Sequence, residues 1–208
     1  MKNFLTQDDV STIEARLKSF EEKTSCELLL IFAKSSDEYP AAPWRFGVIF
    51  GIILTLIFSL FFEFHHAYFW PVLTLILIVL GTWIGSFHWA KRLALTDIET
   101  KRESTEKAIE CFHTMGTSQV RHKVTAMIMV SLLEKSISVL VDEKLKEKIS
   151  EKDLDQVVEV MRSEIKMNTL SHGYLKSIDL LEEKILSSFN GKVSDIPPTE
   201  LKDTLIFL

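Results

Sequence analysis

The sequence predicts an α/β (α+β) protein: a mixed-sheet α/β sandwich interrupted by a two-helix transmembrane hairpin. Amphipathic helical patterns alternate with short apolar strand patterns along the chain. Two uncharged segments, Phe46–Phe62 and Ala67–Phe87, follow one another before the middle of the 208-residue chain. Residues 1–44 are too short to bury a core alone, whereas together with residues 91–208 they are long enough for one domain. The alternative is that residues 1–44 form an independent amphipathic arm.

The two uncharged segments predict spans at about residues 46–64 and 67–87, within a hairpin of residues 45–90. The segments contain 17 and 21 residues, and only Glu63-Phe64-His65-His66 separates them. About 20 apolar residues of helix cross a bilayer, and a helix satisfies its own backbone hydrogen bonds in lipid. The lipid bilayer is therefore a predicted partner, and both soluble parts lie on the same side of it.

Basic residues predict the orientation. Arg45 precedes the first span, basic residues follow the second span, and the connecting turn has no Lys or Arg. The positive-inside rule then places both termini in the cytoplasm. The chain is therefore predicted to be a multi-pass protein of the inner (cytoplasmic) membrane. Trp44, Trp70 and Trp89 lie near the predicted span ends, where indole favours the interface. The basic residues after the second span are Lys91, Arg92, Lys101 and Arg102.

Four of the seven glycines form two GxxxG pairs within the predicted spans, Gly47–Gly51 and Gly81–Gly85. In an antiparallel hairpin both pairs lie near the cytoplasmic end, where small residues let helix backbones approach closely. The pattern predicts a hairpin that is pinched at its cytoplasmic mouth. The alternative is that these pairs serve self-association or contact with another membrane protein, or have no role.

The soluble sequence before the spans predicts one helix and one strand. Thr6 and Asp9 form a capping box at the start of a helix that reaches Thr24. The nearly continuous apolar run Glu27–Ala33 is typical of a strand buried on both faces. Residues 35–43, with two prolines, are predicted to be a linker.

The soluble sequence after the spans predicts three helices and an antiparallel β-hairpin. Gly116 ends the first helix, Ser150 caps the second, and His172-Gly173 breaks the chain before the third. Residues 91–190 thus form the second part of the domain, and residues 191–208 form a tail whose last residues dock. In order, the predicted elements are a helix at 91–115, strands at 124–133 and 136–142, a helix from Ser150, and a helix ending at Asn190-Gly191.

Charge and cysteine usage exclude two classes of function. The net charge of −5 argues against nucleic-acid binding, which needs a basic stripe. Cys26 and Cys111 lie far apart and form no CxxC motif, so both are predicted to be small buried hydrophobic residues. The sequence also contains no P-loop, GxSxG or HExxH motif.

Several strings in the soluble sequence resemble the TPM domain family, specifically a bacterial membrane branch in which a membrane hairpin similarly splits the domain. The strings are FLTQDDVSTIEARLKSFEEKTSCELLLIFAKSS, AIECFHTMGTS, AMIMVSLLEKSISVLVDEKL and the two closing helices. Thr24-Ser25-Cys26-Glu27 stands where the family typically has Thr-Ser-Gly-Glu. The resemblance implies a TPM-type sandwich and a binding, regulatory or accessory module, and family members have also been credited with acid phosphatase activity or calcium binding.

The chain departs from the family pattern near the expected ligand loop. His122 stands where an Asp is usual, Thr125 where a Gly is usual, and Lys144 replaces a typical Gly. A loop carboxylate that would bind a cation is therefore missing, which argues against metal binding and hydrolysis.

The best candidate site combines Asp142 and Glu143 at a strand end with Glu27 beside the first strand and Arg121 in a loop. Carboxylates at a strand end could hold Ca²⁺ or Mg²⁺ through oxygen, or orient water for phosphate hydrolysis. The alternative is that Asp142 caps the turn while Glu27 and Glu143 are solvated. Two hypotheses follow: a membrane-tethered module that binds or regulates a membrane partner, or a divalent-cation-dependent phosphatase-like enzyme with its site near Asp142.

Overall fold

A computed structural model describes residues 5–62, 66, 68–117, 124–167, 169–189, 193 and 205–208. The chain divides into two compact units. Residues 1–34 and 104–208 form the first unit, which is mixed α/β, and residues 35–103 form the second, which is helical. The first unit is thus assembled from two separate parts of the sequence.

The helices and strands follow one another along both units. In chain order they are α1 (Gln7–Thr24), β1 (Glu27–Ala33), α2 (Ala41–Phe61), α3 (Phe69–Gly85), α4 (His88–Ala94), α5 (Asp97–Cys111), a π-helical turn (Phe112–Thr117), β2 (Thr125–Ser131), β3 (Ser136–Val141), α6 (Glu143–Lys146), α7 (Glu151–Lys166), α8 (Leu170–Phe189) and β4 (Ile206–Phe207).

The sheet of the first unit is mixed, with strand order β3-β2-β1-β4. Strand β1 pairs parallel with both β2 and β4, whereas β2 and β3 form the predicted antiparallel hairpin. Leu29 is paired with Met127, and Ile128 with Val139. Every residue of β2 is buried, as expected for a central strand.

Helices cover both faces of this sheet. Alternate strand residues point to opposite sides, and in β1 both sets are apolar, so both faces need cover. Leu28, Leu30 and Phe32 of β1 face the larger apolar cluster, together with residues of α1, α7 and α8. Ile31 and Ala33 face a smaller cluster with the end of α5. The prediction of a mixed sheet with helices packed against it is confirmed.

Local capping signals gave correct element starts. Asp9 donates its N–H to Thr6 Oγ1 (3.1 Å), and Thr6 donates its N–H to Asp9 Oδ2 (2.8 Å), which confirms the capping box. Strand β1 has its predicted bounds. Ser150 caps α7 through the N–H of Asp153 at 3.3 Å, and Cys26 and Cys111 are both free and buried.

The predicted helix over residues 91–115 is wrong, because the chain is extended at Leu95 between α4 and α5. Thr96 and Glu99 form a second capping box: Thr96 Oγ1 accepts from the Glu99 N–H, and Glu99 Oε2 accepts from the Thr96 N–H, both at 3.3 Å. Helix α5 then passes into the π-helical turn, which the periodicity of apolar residues did not predict. The predicted linker over 35–43 is also too long, because α2 begins at Ala41.

One further correction concerns the last helix. His172-Gly173 does not break the chain, since α8 begins at Leu170. A Cβ on Gly173 would lie 3.0 Å from Met161 Sδ, so the glycine lets α8 approach α7 closely. The segment that follows β3 contains α6, whose Leu145 is fully buried.

The second unit contains α2 and α3, which pack against each other. They run antiparallel, because Gly47 lies beside Thr82, Gly51 beside Ile78 and Thr55 beside Thr74. Helix α2 has 21 residues and is long and apolar enough to cross a membrane, whereas α3 is a shorter apolar helix of 17 residues.

Candidate functional site

The end of β3 positions the predicted carboxylates Asp142 and Glu143. Asp142 donates its backbone N–H to Thr125 O (2.9 Å), which ties it to the start of β2. Its side chain accepts from the Glu143 N–H and thereby caps α6. The capping role that the sequence left open as an alternative for Asp142 is therefore present.

A groove of about 550 Å³ lies beside Asp142 and Glu143. Its apolar wall comes from the end of α5 and from β3, and its polar groups come from Asp142, the start of α6 and the π-helical turn. This combination of an apolar wall with a few polar side chains is typical of a small-molecule or peptide site. The lining residues are Ile109, Phe112, His113, Leu140, Val141, Asp142, Glu143 and Lys146.

The sequence predicts Glu27 as a cation ligand of this site, with a solvated side chain as the alternative. In the structure Glu27 is buried, which excludes the alternative, and its backbone N–H donates to Val124 O at 2.9 Å. Burial raises the pKa of the neighbouring Cys26 thiol, and the negative charges of Glu21, Glu27 and Asp142 raise it further. Glu27 and Asp142 thus lie at the same end of the sheet, but Glu27 does not line the groove.

The described residues do not complete a cation site. Among them, no three His, Cys, Asp or Glu side chains lie close enough together to hold one metal ion. Ca²⁺ takes about six to eight oxygen ligands, whereas the groove offers the carboxylates of Asp142 and Glu143, of which the first already caps α6. Arg121, the fourth predicted site residue, lies outside the described residues.

Sequence reasoning missed the other polar residues of the groove. His113 and Lys146 line it, although neither was singled out as a site residue. His113 lies in the π-helical turn, and such turns occur frequently at functional sites. Lys146 could have been found only by recognising α6, because one helical turn separates it from Asp142.

The four glycines of the predicted spans all lie at the contact between α2 and α3. A Cβ on Gly81 would lie 2.9 Å from Gly47 Cα, and a Cβ on Gly85 would lie 2.8 Å from Pro43 O. A Cβ on Gly51 would lie 2.9 Å from the backbone nitrogen of Ile78. The atoms that each added Cβ would meet belong to the backbone of the other helix. The glycines therefore determine how closely the two helices approach.

Polar contacts add to this helical pair. Thr55 and Thr74 are hydrogen-bonded through their hydroxyls at 3.1 Å. At the other end of α2, Arg45 donates to Glu99 Oε2 (2.6 Å), and Lys91 Nζ donates to Glu38 O (2.6 Å). At the end of the second unit where the basic residues lie, an ion pair and a side-chain-to-backbone hydrogen bond thus hold its segments together.

The Arg45–Glu99 pair predicts a specific pH dependence. The hydrogen bond from Arg45, together with those from Thr96, lowers the pKa of Glu99 from 4.5 to about 2. A lowered pKa in the folded state adds stability that is present above pH 4.5 and is lost as the pH falls through about 2. We expect Glu99→Gln to lower the unfolding temperature of the second unit at pH 6, and this difference to disappear towards pH 2.

Thermal unfolding of the detergent-solubilised protein, followed by tryptophan fluorescence, measures this effect because all four tryptophans lie within residues 35–103. Glu103→Gln, which removes a contact with Arg102 instead, is the matched control. The same pH dependence in both variants would contradict the assignment. The expected effect is small, since exposed ion pairs contribute little to stability.

Comparison with known proteins gives a likeness of fold. No protein-family model and no curated protein matches the chain. The NMR structure of BA42 protein from the psychrophilic bacterium Bizionia argentinensis is similar, with a TM-score of 0.60 and 12% sequence identity, over 100% of this chain and 98% of that chain. At this identity the likeness concerns the fold alone.

Proposed function

We propose that the chain is an integral membrane protein in which α2 and α3 form a transmembrane hairpin and anchor a TPM-like α/β domain. In this proposal the domain is a binding, regulatory or accessory module. Both termini lie on the cytoplasmic side of the inner membrane, and the bilayer and a membrane protein are the partners. The TPM resemblance of the soluble sequence, described above, supports the family part of this proposal.

The distribution of apolar side chains on the helical pair carries the proposal. Glycines and threonines lie at the contact between α2 and α3, whereas many large aliphatic and aromatic residues of both helices are exposed. Leu60 is 82% exposed and Val79 is 69% exposed. Water-soluble proteins rarely expose contiguous apolar surface of this kind, while small residues at helix contacts are typical of membrane helices. A bilayer is the environment that suits this surface.

The binding role of the domain is supported by the character of the groove. Its wall is apolar on one side, and it presents one histidine, two carboxylates and one lysine on the other. Such a lining can orient a ligand without a bound cofactor.

Alkaline extraction of membranes from cells that express the full chain tests the anchor. We expect the protein to stay in the membrane pellet after carbonate treatment and to enter solution only with detergent. The matched control carries Leu56→Lys and Val79→Glu, which place charges on outward-facing positions of α2 and α3. Release of the unaltered chain by carbonate would contradict the membrane proposal.

A divalent-cation-dependent phosphatase-like activity is the second candidate, because the groove places Asp142 and Glu143 beside an apolar wall. In this case Ca²⁺ or Mg²⁺ would draw on Asp142, Glu143 and further oxygens. We expect millimolar Ca²⁺ or Mg²⁺ to leave the unfolding temperature of the domain unchanged in both the unaltered chain and Asp142→Asn. Asparagine keeps the capping function, so this variant separates the charge from the cap.

Thermal unfolding with and without each cation is the measurement, since a ligand that binds only the folded state raises stability by mass action. A rise of unfolding temperature that is lost in Asp142→Asn would contradict the expectation. If the unaltered chain also hydrolysed a phosphate ester and Asp142→Asn abolished that hydrolysis, the two results together would establish a phosphatase-like enzyme instead of a binding module.

A further inference from the structure

The outer edge of β1 is covered by two different parts of the chain. Near its start, Leu28 donates its N–H to Glu21 Oε1 (3.1 Å). Further along, Phe32 O accepts from the Leu208 N–H (3.0 Å), and Lys34 donates its N–H to Leu208 O (3.1 Å). We call Ile31–Lys34 the acceptor edge and Leu205–Leu208 the tail segment. The tail segment therefore satisfies backbone groups that a sheet edge otherwise leaves open to another strand.

Side chains of the tail segment alternate between the two faces of the sheet. Leu205 is buried in the larger apolar cluster, and Ile206 packs against the smaller one. The ring of Phe207 meets the ring of Phe32 edge to face, at 5.9 Å between centroids. Main-chain hydrogen bonds with sites for alternate side chains are the two components of peptide recognition by strand addition.

The tail segment pairs with only part of β1. Strand β4 has two residues, whereas β1 has seven. Phe207 and Leu208 remain 37% and 43% exposed. Val193 donates its N–H to Thr24 O (2.9 Å), and the eleven residues 194–204 join it to the tail segment. A connection of that length spans at most about 40 Å, so the tail segment can leave the edge while Val193 and α8 keep their places.

We propose that the acceptor edge is a peptide-binding site for an extended apolar segment of another protein, and that the tail segment occupies it in the free chain. This deepens the proposed binding function by naming a surface and a ligand class. The ligand is a strand with free backbone N–H groups and apolar side chains at the three successive positions now held by Leu205, Ile206 and Phe207.

A second copy of this chain fits the site less well than a separate protein. Exchange of tail segments between two copies would recreate the same contacts that each copy already makes with itself. It would add the entropic cost of association without a compensating new contact. A longer strand of another protein can pair with more of β1 and thereby bind this edge more tightly than the tail segment does.

Binding of a labelled peptide to the full-length protein in detergent tests the proposal. The probe is a fluorescein-labelled peptide of residues 201–208, LKDTLIFL. It is titrated against the unaltered chain, a chain that ends at Thr204, and the full chain with Leu208→Pro, which lacks the N–H that Phe32 O accepts. We expect both altered chains to bind at least about tenfold more tightly than the unaltered chain, because a tethered competitor acts at millimolar effective concentration.

Control peptides and folding measurements complete the design. The same peptide carrying Leu208→Pro should bind at least about tenfold more weakly to the shortened chain. If the shortened chain retains its circular dichroism but does not bind the probe, the proposal is wrong. If the shortened chain does not fold, the Leu208→Pro chain decides, and absence of binding to that folded chain overturns the proposal.

Two tagged copies of the full chain distinguish the source of the strand. Co-purification that requires residues 205–208 would assign the edge to a second copy and overturn the proposal of a separate partner. Carbonate extraction is independent of these titrations. A chain that fails to bind peptide but stays in the membrane pellet contradicts this inference alone, and one that binds peptide but is released contradicts only the anchor.

Discussion

Replacing Gly81 by isoleucine is expected to separate α2 from α3. The new Cβ would lie 2.9 Å from Gly47 Cα and 3.1 Å from Gly47 O, so it meets backbone atoms that cannot rotate away. Overpacking at a close contact costs about 1–3 kcal/mol and occasionally more, and here relief requires moving a whole helix. We expect a loss towards the upper end of this range and a pair of helices that no longer holds its register.

Disulfide formation between Thr55→Cys and Thr74→Cys measures this separation, because the two hydroxyls lie 3.1 Å apart. The cross-link should form nearly completely in the otherwise unaltered chain and only in a minor fraction with Gly81→Ile. Val79→Ile, on the outward face of the same helix, is the control and should leave the yield unchanged. Equal yields in all three chains would show that the glycine contact does not determine the packing.

Truncation of Phe20 to alanine is expected to have the largest effect on the first unit. Phe20 of α1 is fully buried in the cluster that joins α1 to the sheet and to α8. Removing a buried phenylalanine side chain costs about 3–5 kcal/mol, which is a large fraction of the roughly 5–15 kcal/mol that stabilises a typical domain. We expect a correspondingly lower midpoint of denaturation.

Chemical denaturation followed by circular dichroism, with limited proteolysis of residues 104–208, measures this loss. Met167→Ala is the control because Met167 is 70% exposed, so its truncation should change stability little. Tryptophan fluorescence reports the second unit and should remain unchanged in Phe20→Ala. A parallel shift of the fluorescence transition would mean that the two units unfold together.

The starts of α1 and α7 were predictable because capping depends on residues three positions apart. Thr6 with Asp9 and Ser150 with Asp153 carry the signal locally. The start of α5 had the same signal in Thr96 and Glu99, but the apolar periodicity on both sides favoured one continuous helix. The apolar periodicity alone therefore did not reveal the break before α5, which the Thr96–Glu99 capping box indicates.

Features that depend on distant contacts could not be predicted in the same way. The pairing of β4 with β1 joins residues about 175 positions apart through two residues of apolar sequence. The groove joins the π-helical turn to α6, and neither element has a strong period. The position of Asp142 and Glu143 at a strand end was predictable, but the burial of Glu27 depends on how the sheet is covered.

The pairing of β1 with a strand far along the chain delays the assembly of the sheet during biosynthesis. Strand β1 pairs with β2, yet 91 residues, including α2 and α3, lie between Ala33 and Thr125. At about 5–20 residues per second, the ribosome needs roughly 5–20 s to deliver β2 after β1 has emerged. During this interval the apolar strand has no partner. The nascent chain must therefore keep β1 from aggregating while the helical pair is being made, and the domain can assemble only after that step.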